Sequence, residues 1–150
     1  MKLTRRDIIV FGAGAVAFAG VLPFAPKAIA ATKADDAIAA FTGGAEVKEG
    51  RVSLSTPEIA ENGNTVPIEV SVESPMTDAD HVKEVMLLAD GNPEPGVATF
   101  KFTSMSGEAQ ASTRIRLAKT QNVIAIAKMS DGSLFMDKKQ IKVTIGGCGG

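Results

Sequence analysis

The sequence predicts an all-β fold, an antiparallel β-sandwich of about seven strands preceded by one short helix. Apolar and polar residues alternate with a period of two along several runs, which is typical of half-buried strands. Turn residues such as Asn62-Gly63 and Asp131-Gly132 fall between these runs. With 150 residues, of which 45% are hydrophobic, the chain fits a single domain with a buried core.

Residues 1–30 are predicted to be an export signal rather than part of this fold. Arg5 and Arg6 precede an uncharged apolar run, the pattern of a twin-arginine signal, and an ordinary secretory signal is the alternative. Ala28 and Ala30 form the small-x-small pattern that a signal peptidase needs, so we expect cleavage after Ala30, before Ala31. The apolar run of about 15 residues is short of the roughly 20 that a spanning helix needs. We therefore expect a periplasmic protein with no membrane attachment after cleavage.

A short helix is predicted to open the mature domain, residues 31–145. Thr32 is a favoured N-cap residue, and Asp35 three positions later completes a capping-box pattern. Ile38 and Phe41 share one face of this helix, and two glycines end it.

Seven strands are predicted after the helix, and two of them, containing 85–88 and 123–127, are almost continuously apolar. Such runs indicate strands covered on both faces. Because only about 120 residues follow the predicted signal, we expect one sheet face to be completed by another protein chain. The predicted strands are 51–55, 65–73, 81–89, 97–103, 109–117, 122–129 and 133–145.

The charge of the chain disfavours two classes of partner. Removing the predicted signal takes four basic and one acidic residue from 16 Lys+Arg and 17 Asp+Glu, which leaves a net charge of about −4. A mildly acidic protein lacks the basic patch that nucleic acids or anionic membranes require. No metal site is predicted, because Asp78, Asp80 and Asp90 lack the spacing of a calcium loop and are expected to be solvated.

The last five residues form a segment, here called the carrier arm, in which the only side chain is a thiol. It belongs to the single cysteine of the chain, so no internal disulfide can form. Glycine samples both signs of φ, so we expect a mobile tether that reaches about 10 Å beyond Ile145. A thiol on such a thin tether suits a group carrier that visits several active sites. The arm consists of Gly146, Gly147, Cys148, Gly149 and Gly150.

The leader, the small β-rich domain and the terminal Gly-Gly-Cys-Gly-Gly together resemble the SoxY family of bacterial thiosulfate oxidation. The resemblance implies an immunoglobulin-like sandwich that pairs with SoxZ and carries sulfur intermediates on Cys148. It also implies that the haem enzyme SoxXA joins thiosulfate to Cys148, that SoxB releases sulfate, and that a sulfane dehydrogenase oxidises the remaining sulfur. The carrier itself would catalyse none of these steps and would hold no cofactor, only thiosulfonate and persulfide adducts on Cys148.

Two other functions remain open at this point. An exported structural or interaction sandwich would use Cys148 only to link two copies in a disulfide-bonded homodimer. A thiol enzyme such as a peroxidase would need a base, and the single histidine, His81, is expected on the surface at the start of a strand. No Lys, Arg or His lies within five residues of Cys148, so we expect a slow thiol that partner enzymes load.

Overall fold

One α-helix, one short 3-10 helix (Ser104–Ser106) and nine strands in two facing sheets make up residues 32–147, the part of the chain that this computed structural model describes. The predicted all-β sandwich with a short N-terminal helix is confirmed. The predicted export signal, with Arg5, Arg6, Ala30 and Ala31, lies outside the described residues. The elements are α1 (Lys33–Thr42), β1 (Val47–Glu49), β2 (Val52–Ser55), β3 (Ile59–Asn62), β4 (Val66–Val72), β5 (Val82–Ala89), β6 (Gly96–Lys101), β7 (Ala109–Ile115), β8 (Gln121–Met129) and β9 (Leu134–Ile145).

Helix α1 begins and ends as its sequence predicts. The Thr32 hydroxyl accepts a hydrogen bond from the Asp35 backbone N–H, and the Asp35 carboxylate accepts one from the Thr32 N–H at 2.9 Å. These bonds to Thr32 lower the pKa of Asp35. Gly43 ends the helix with a φ of 63°. Near its start, Lys33 forms an exposed ion pair with Glu94, in the loop that follows β5.

The two sheets differ in size and are not wholly antiparallel. The larger sheet has the order β1-β9-β8-β5-β6, with β3 paired to the far part of β9, and the smaller sheet has the order β2-β4-β7. Both β1 and β3 run parallel to β9, which corrects the predicted antiparallel arrangement. These two strands, of three and four residues, were not predicted, because they are too short to show a period of two.

The main core lies between the sheets, where alternating residues of each strand meet. On β4, Val66, Ile68, Val70 and Val72 are buried on one face as predicted, while the residues between them face outward. Leu87 on β5 packs into the same core from the larger sheet. The predicted alternation of the central strands is therefore confirmed.

The outer face of the larger sheet is covered by the chain's own helix. Leu88 on β5 and Ile124 and Ile126 on β8 form a second buried cluster, against which Ile38 and Phe41 of α1 pack. This arrangement explains why both strands are apolar on two faces. Helix α1 therefore accounts for the apolar outer faces of these two strands. The expectation that another protein chain completes one sheet face stays a prediction.

We expect Thr32→Ala to lower the free energy of unfolding by about 0.5–2 kcal/mol, because the change removes the N-cap of α1. Chemical denaturation against Thr99→Ala, an exposed threonine on β6, measures the difference. Because the folded pKa of Asp35 is lowered, its contribution is present at neutral pH and is lost as the pH falls through that lowered pKa. Equal stabilities of the two variants at neutral pH would contradict this account of the cap.

Candidate functional site

The predicted substrate attachment residue, Cys148, lies outside the described residues, together with Gly149 and Gly150. The structure does describe Gly146 and Gly147, the first two residues of the carrier arm. Because Cys148 is bonded directly to Gly147, the position of Gly147 determines where the thiol is attached to the domain. The strand that leads to these glycines therefore positions the site.

The last part of β9 extends beyond the strand that precedes it in the chain. Pairing with β8 ends at Ile141, opposite Gln121, and from Lys142 onward β3 takes over as a parallel neighbour. On the other side, the Thr120 hydroxyl accepts a hydrogen bond from the Val143 N–H at 2.9 Å. The end of β9 is thus held from both sides up to Ile145.

A chain of three backbone hydrogen bonds continues from this strand into the arm. The Gly63 N–H donates to the Ile145 carbonyl at 2.7 Å, and the Gly63 carbonyl accepts from the Leu117 N–H at 2.8 Å. The Leu117 carbonyl then accepts from the Gly147 N–H at 2.9 Å, and Gly147 is buried. We call Gly63, Leu117, Ala118, Gly146 and Gly147 the anchoring rim.

Three glycines of the anchoring rim have no room for a side chain. A Cβ on Gly63 would overlap the Leu117 carbonyl oxygen and lie 2.7 Å from the Gly147 nitrogen. A Cβ on Gly146 would overlap the Ala118 carbonyl oxygen, and one on Gly147 would lie 2.8 Å from the Gly63 carbonyl oxygen. None of the three glycines has a φ in the left-handed region, so the requirement for glycine is steric rather than conformational.

The expectation of a mobile tether that starts at Gly146 is corrected for its first two residues. Gly146 lies against the Ala118 backbone, and Gly147 is hydrogen-bonded and buried. These glycines allow the backbone segments to approach closely, because they have no side chain. They do not serve here to make the chain flexible.

The loop that receives the arm is itself supported by a buried side chain. Gln121 is 4% exposed, and its side-chain oxygen accepts from the Gly91 N–H at 2.7 Å. Its amide nitrogen donates to Asn92 Oδ1 at 2.8 Å and to the Lys119 carbonyl at 3.1 Å. Asn92 Oδ1 also accepts from the Ala118 N–H at 3.0 Å. Residues 117–121 therefore form a fixed support for the arm.

Two basic residues adjoin the backbone positions that hold the arm. Arg116 and Lys119 are exposed residues that flank Leu117 and Ala118, whose backbones touch Gly146 and Gly147. Neither residue lies within five positions of Cys148 in the sequence, because the contact joins segments about thirty residues apart.

The other residues considered for chemistry lie elsewhere or already have partners. His81 is half-buried, and its Nδ1 lies 3.0 Å from the Thr77 carbonyl oxygen, at the start of β5. Asp80 pairs with Arg51 at 2.9 Å, and Asp90 accepts two hydrogen bonds from Asn122, so these carboxylates are engaged rather than simply solvated.

Asp78 likewise accepts a hydrogen bond from the Ser104 hydroxyl. Within residues 32–147, no group of three His, Cys, Asp or Glu side chains is placed to hold a metal ion. Neither helix of that region is long and apolar enough to cross a membrane.

The fold and the anchoring rim define a class of protein, the two-sheet β-sandwich whose C-terminal strand leads into glycines built into one end of the domain. Residues 38–148 match the family model of the sulfur oxidation protein SoxY. The chain belongs to the SoxY family, as its resemblance at the level of sequence indicated.

Solved structures agree with this assignment. The sulfur carrier protein SoxY from Chlorobium limicola f thiosulfatophilum is 34% identical, with a TM-score of 0.63 over 75% of this chain and 97% of that one. A superoxide reductase (neelaredoxin) from Ignicoccus hospitalis has a TM-score of 0.57 at 20% identity, covering 63% of this chain and 80% of that one. That second similarity concerns the fold alone. No curated protein sequence matches the chain significantly.

We expect Gln121→Leu to lower the free energy of unfolding by about 1–3 kcal/mol, because it leaves the Gly91 N–H without a hydrogen-bond partner and removes one of the two hydrogen bonds to Asn92 Oδ1. Chemical denaturation measures the loss. Gln140→Leu, at an exposed position of β9, is the matched control and should change stability far less. If the two variants were equally stable, Gln121 would not support the loop as described.

Proposed function

We propose that this protein is a covalent carrier of sulfur intermediates in thiosulfate oxidation, with the substrate attached to Cys148. The observation that carries the proposal is the end of the family match, which falls on Cys148, the residue bonded to the anchored Gly147. The related Chlorobium protein is described as a sulfur carrier. A single thiol next to the anchoring rim is suited to this role, because the rim fixes its attachment point, Gly147, just beyond the end of β9.

The proposed chemistry on Cys148 proceeds in balanced steps. Oxidative coupling forms a sulfur–sulfur bond between the thiol and thiosulfate, releases one proton and passes two electrons to a haem enzyme of the SoxXA type. The product is a thiosulfonate adduct on Cys148. Hydrolysis with one water, by a SoxB-type enzyme, then releases sulfate and a proton and leaves a persulfide on Cys148. A sulfane dehydrogenase would then take six electrons from the remaining sulfur and add the oxygens of three waters, which releases protons and leaves a sulfonate on the Cys148 sulfur. A second hydrolysis by the SoxB-type enzyme would release that group as sulfate and return the free thiol.

The position of His81 favours a carrier over a thiol enzyme. Strand β5 separates His81 from Gly91, which packs against the loop of the anchoring rim. Eight residues of strand span about 26 Å, so His81 lies at the other end of the sandwich from the attachment point of Cys148. A base that acts on a thiol must come within about 3 Å of it. Loading by partner enzymes, without a cofactor on this chain, is consistent with that separation.

The proposal includes export and protein partners. We infer that residues 1–30 direct the folded chain to the periplasm by the twin-arginine route, with cleavage between Ala30 and Ala31 and no membrane attachment afterwards. We also infer a stable heterodimer with SoxZ. Because α1 covers the outer face of the larger sheet around Leu88, the SoxZ surface would lie elsewhere on the domain.

The test is to incubate the protein lacking residues 1–30 with thiosulfate, SoxZ and the SoxXA enzyme and to measure its intact mass. We expect an adduct that maps to the C-terminal peptide of the wild type and is absent from Cys148→Ser. Ser130→Ala, at the opposite end of β8 from the rim, is a control that should load normally.

Two results would contradict the carrier function. Thiosulfate oxidation by the reconstituted system with Cys148→Ser would remove the need for this thiol. A wild-type protein that forms only a reducible homodimer, with no sulfur adduct, would instead support the structural role of the cysteine.

A further inference from the structure

We propose that Gly63, more than eighty residues before the carrier arm, is a positioning residue for the sulfur carried on Cys148. The inference rests on the proposed carrier function and adds a part of the chain that lies outside the arm. Gly63 is the centre of the anchoring rim, since its N–H binds the Ile145 carbonyl and its carbonyl binds the Leu117 N–H. Through these contacts it determines where Gly147 lies.

Residue 63 must be glycine for the arm to dock. The atoms that a Cβ on Gly63 would meet are the Leu117 oxygen and the Gly147 nitrogen, both in the backbone. Backbone segments held in place by hydrogen bonds cannot move aside as the end of a flexible side chain can. Any larger residue at position 63 therefore displaces Gly147 from the Leu117 carbonyl.

Docking of Gly146 and Gly147 shortens the free part of the carrier arm. A tether that begins after Ile145 would carry Cys148 through about 10 Å, whereas consecutive Cα atoms are only about 3.8 Å apart. With Gly147 bound to Leu117, the Cys148 thiol is attached one peptide unit from a fixed point. Partner enzymes must then approach this end of the sandwich, because the thiol-bearing residue is bonded directly to the anchored Gly147.

A fixed attachment point for Cys148 favours reaction of its thiol in a large partner enzyme but not reaction with a small reagent. Releasing Gly146 and Gly147 adds two residues whose backbone must be ordered again when an enzyme binds the thiol. Each residue that must be ordered lowers the fraction of arm conformations that place the thiol for reaction by about tenfold. A small alkylating reagent needs no such ordering, so its reaction with Cys148 should not become slower.

The experiment compares Gly63→Ala with Gly96→Ala in the protein lacking residues 1–30. Gly96 is the matched control, because a Cβ there meets nothing within 4 Å and its φ lies outside the left-handed region. Three quantities are measured: amide hydrogen exchange at Gly147, alkylation of Cys148 by iodoacetamide, and the rate of thiosulfate loading by the SoxXA enzyme at subsaturating concentration.

For folded Gly63→Ala we expect Gly147 exchange at least about tenfold faster, loading about tenfold slower or more, and alkylation no slower than in the wild type. The Gly96→Ala protein should match the wild type in all three. A folded Gly63→Ala protein that loads at the wild-type rate would overturn the proposal. Parallel losses of loading and alkylation would also overturn it, because they indicate a thiol that is blocked rather than misplaced.

A second variant covers the case in which Gly63→Ala does not fold. Gly146→Ala changes a residue beyond β9 and meets the Ala118 carbonyl, so the same three results are expected from it. Gly147 exchange in the wild type is a further independent measurement, and an unprotected Gly147 amide in the folded protein would refute the anchor. Cys148→Ser separates the two hypotheses, because its loss of loading tests the carrier function and leaves the exchange of Gly147 unaffected.

Discussion

The close approach of three backbone segments at Gly63 determines how β9 continues into the first two residues of the carrier arm. Gly63 links the Ile145 carbonyl to Leu117, and Leu117 in turn holds Gly147. Each segment forms backbone hydrogen bonds with another segment. A side chain between the segments would prevent these bonds. Gly146 and Gly147 thereby become part of the sandwich.

Most of the fold could be predicted from the sequence because its central strands carry local signals. The run from Val66 to Val72 alternates strictly, and the pair Thr32 and Asp35 specifies a helix start, so neither depends on knowledge of distant residues. Strands β1 and β3 carry no such signal. They are short, and they form only because β9 offers an edge some eighty residues away in the chain.

The candidate site was predicted only in part, because glycine is ambiguous at the level of sequence. The same residue marks a flexible segment, a turn or a place where backbones touch, and Gly146 and Gly63 were assigned to the first two of these. The structure assigns both to the third. Arg116 and Lys119 were missed for a related reason, since their proximity to the arm arises from a contact between separate segments.

The ion pair between Lys33 and Glu94 has a practical consequence for work with this protein. Glu94 lies in the same inter-strand loop as Asn92, which supports the rim, so α1 starts at the end of the sandwich where β9 finishes. Both termini of the folded domain therefore share one neighbourhood. A purification tag or fluorescent label fused before Thr32 would interfere sterically with a partner enzyme that binds around Gly147. A surface loop at the opposite end of the sandwich is the better position for it.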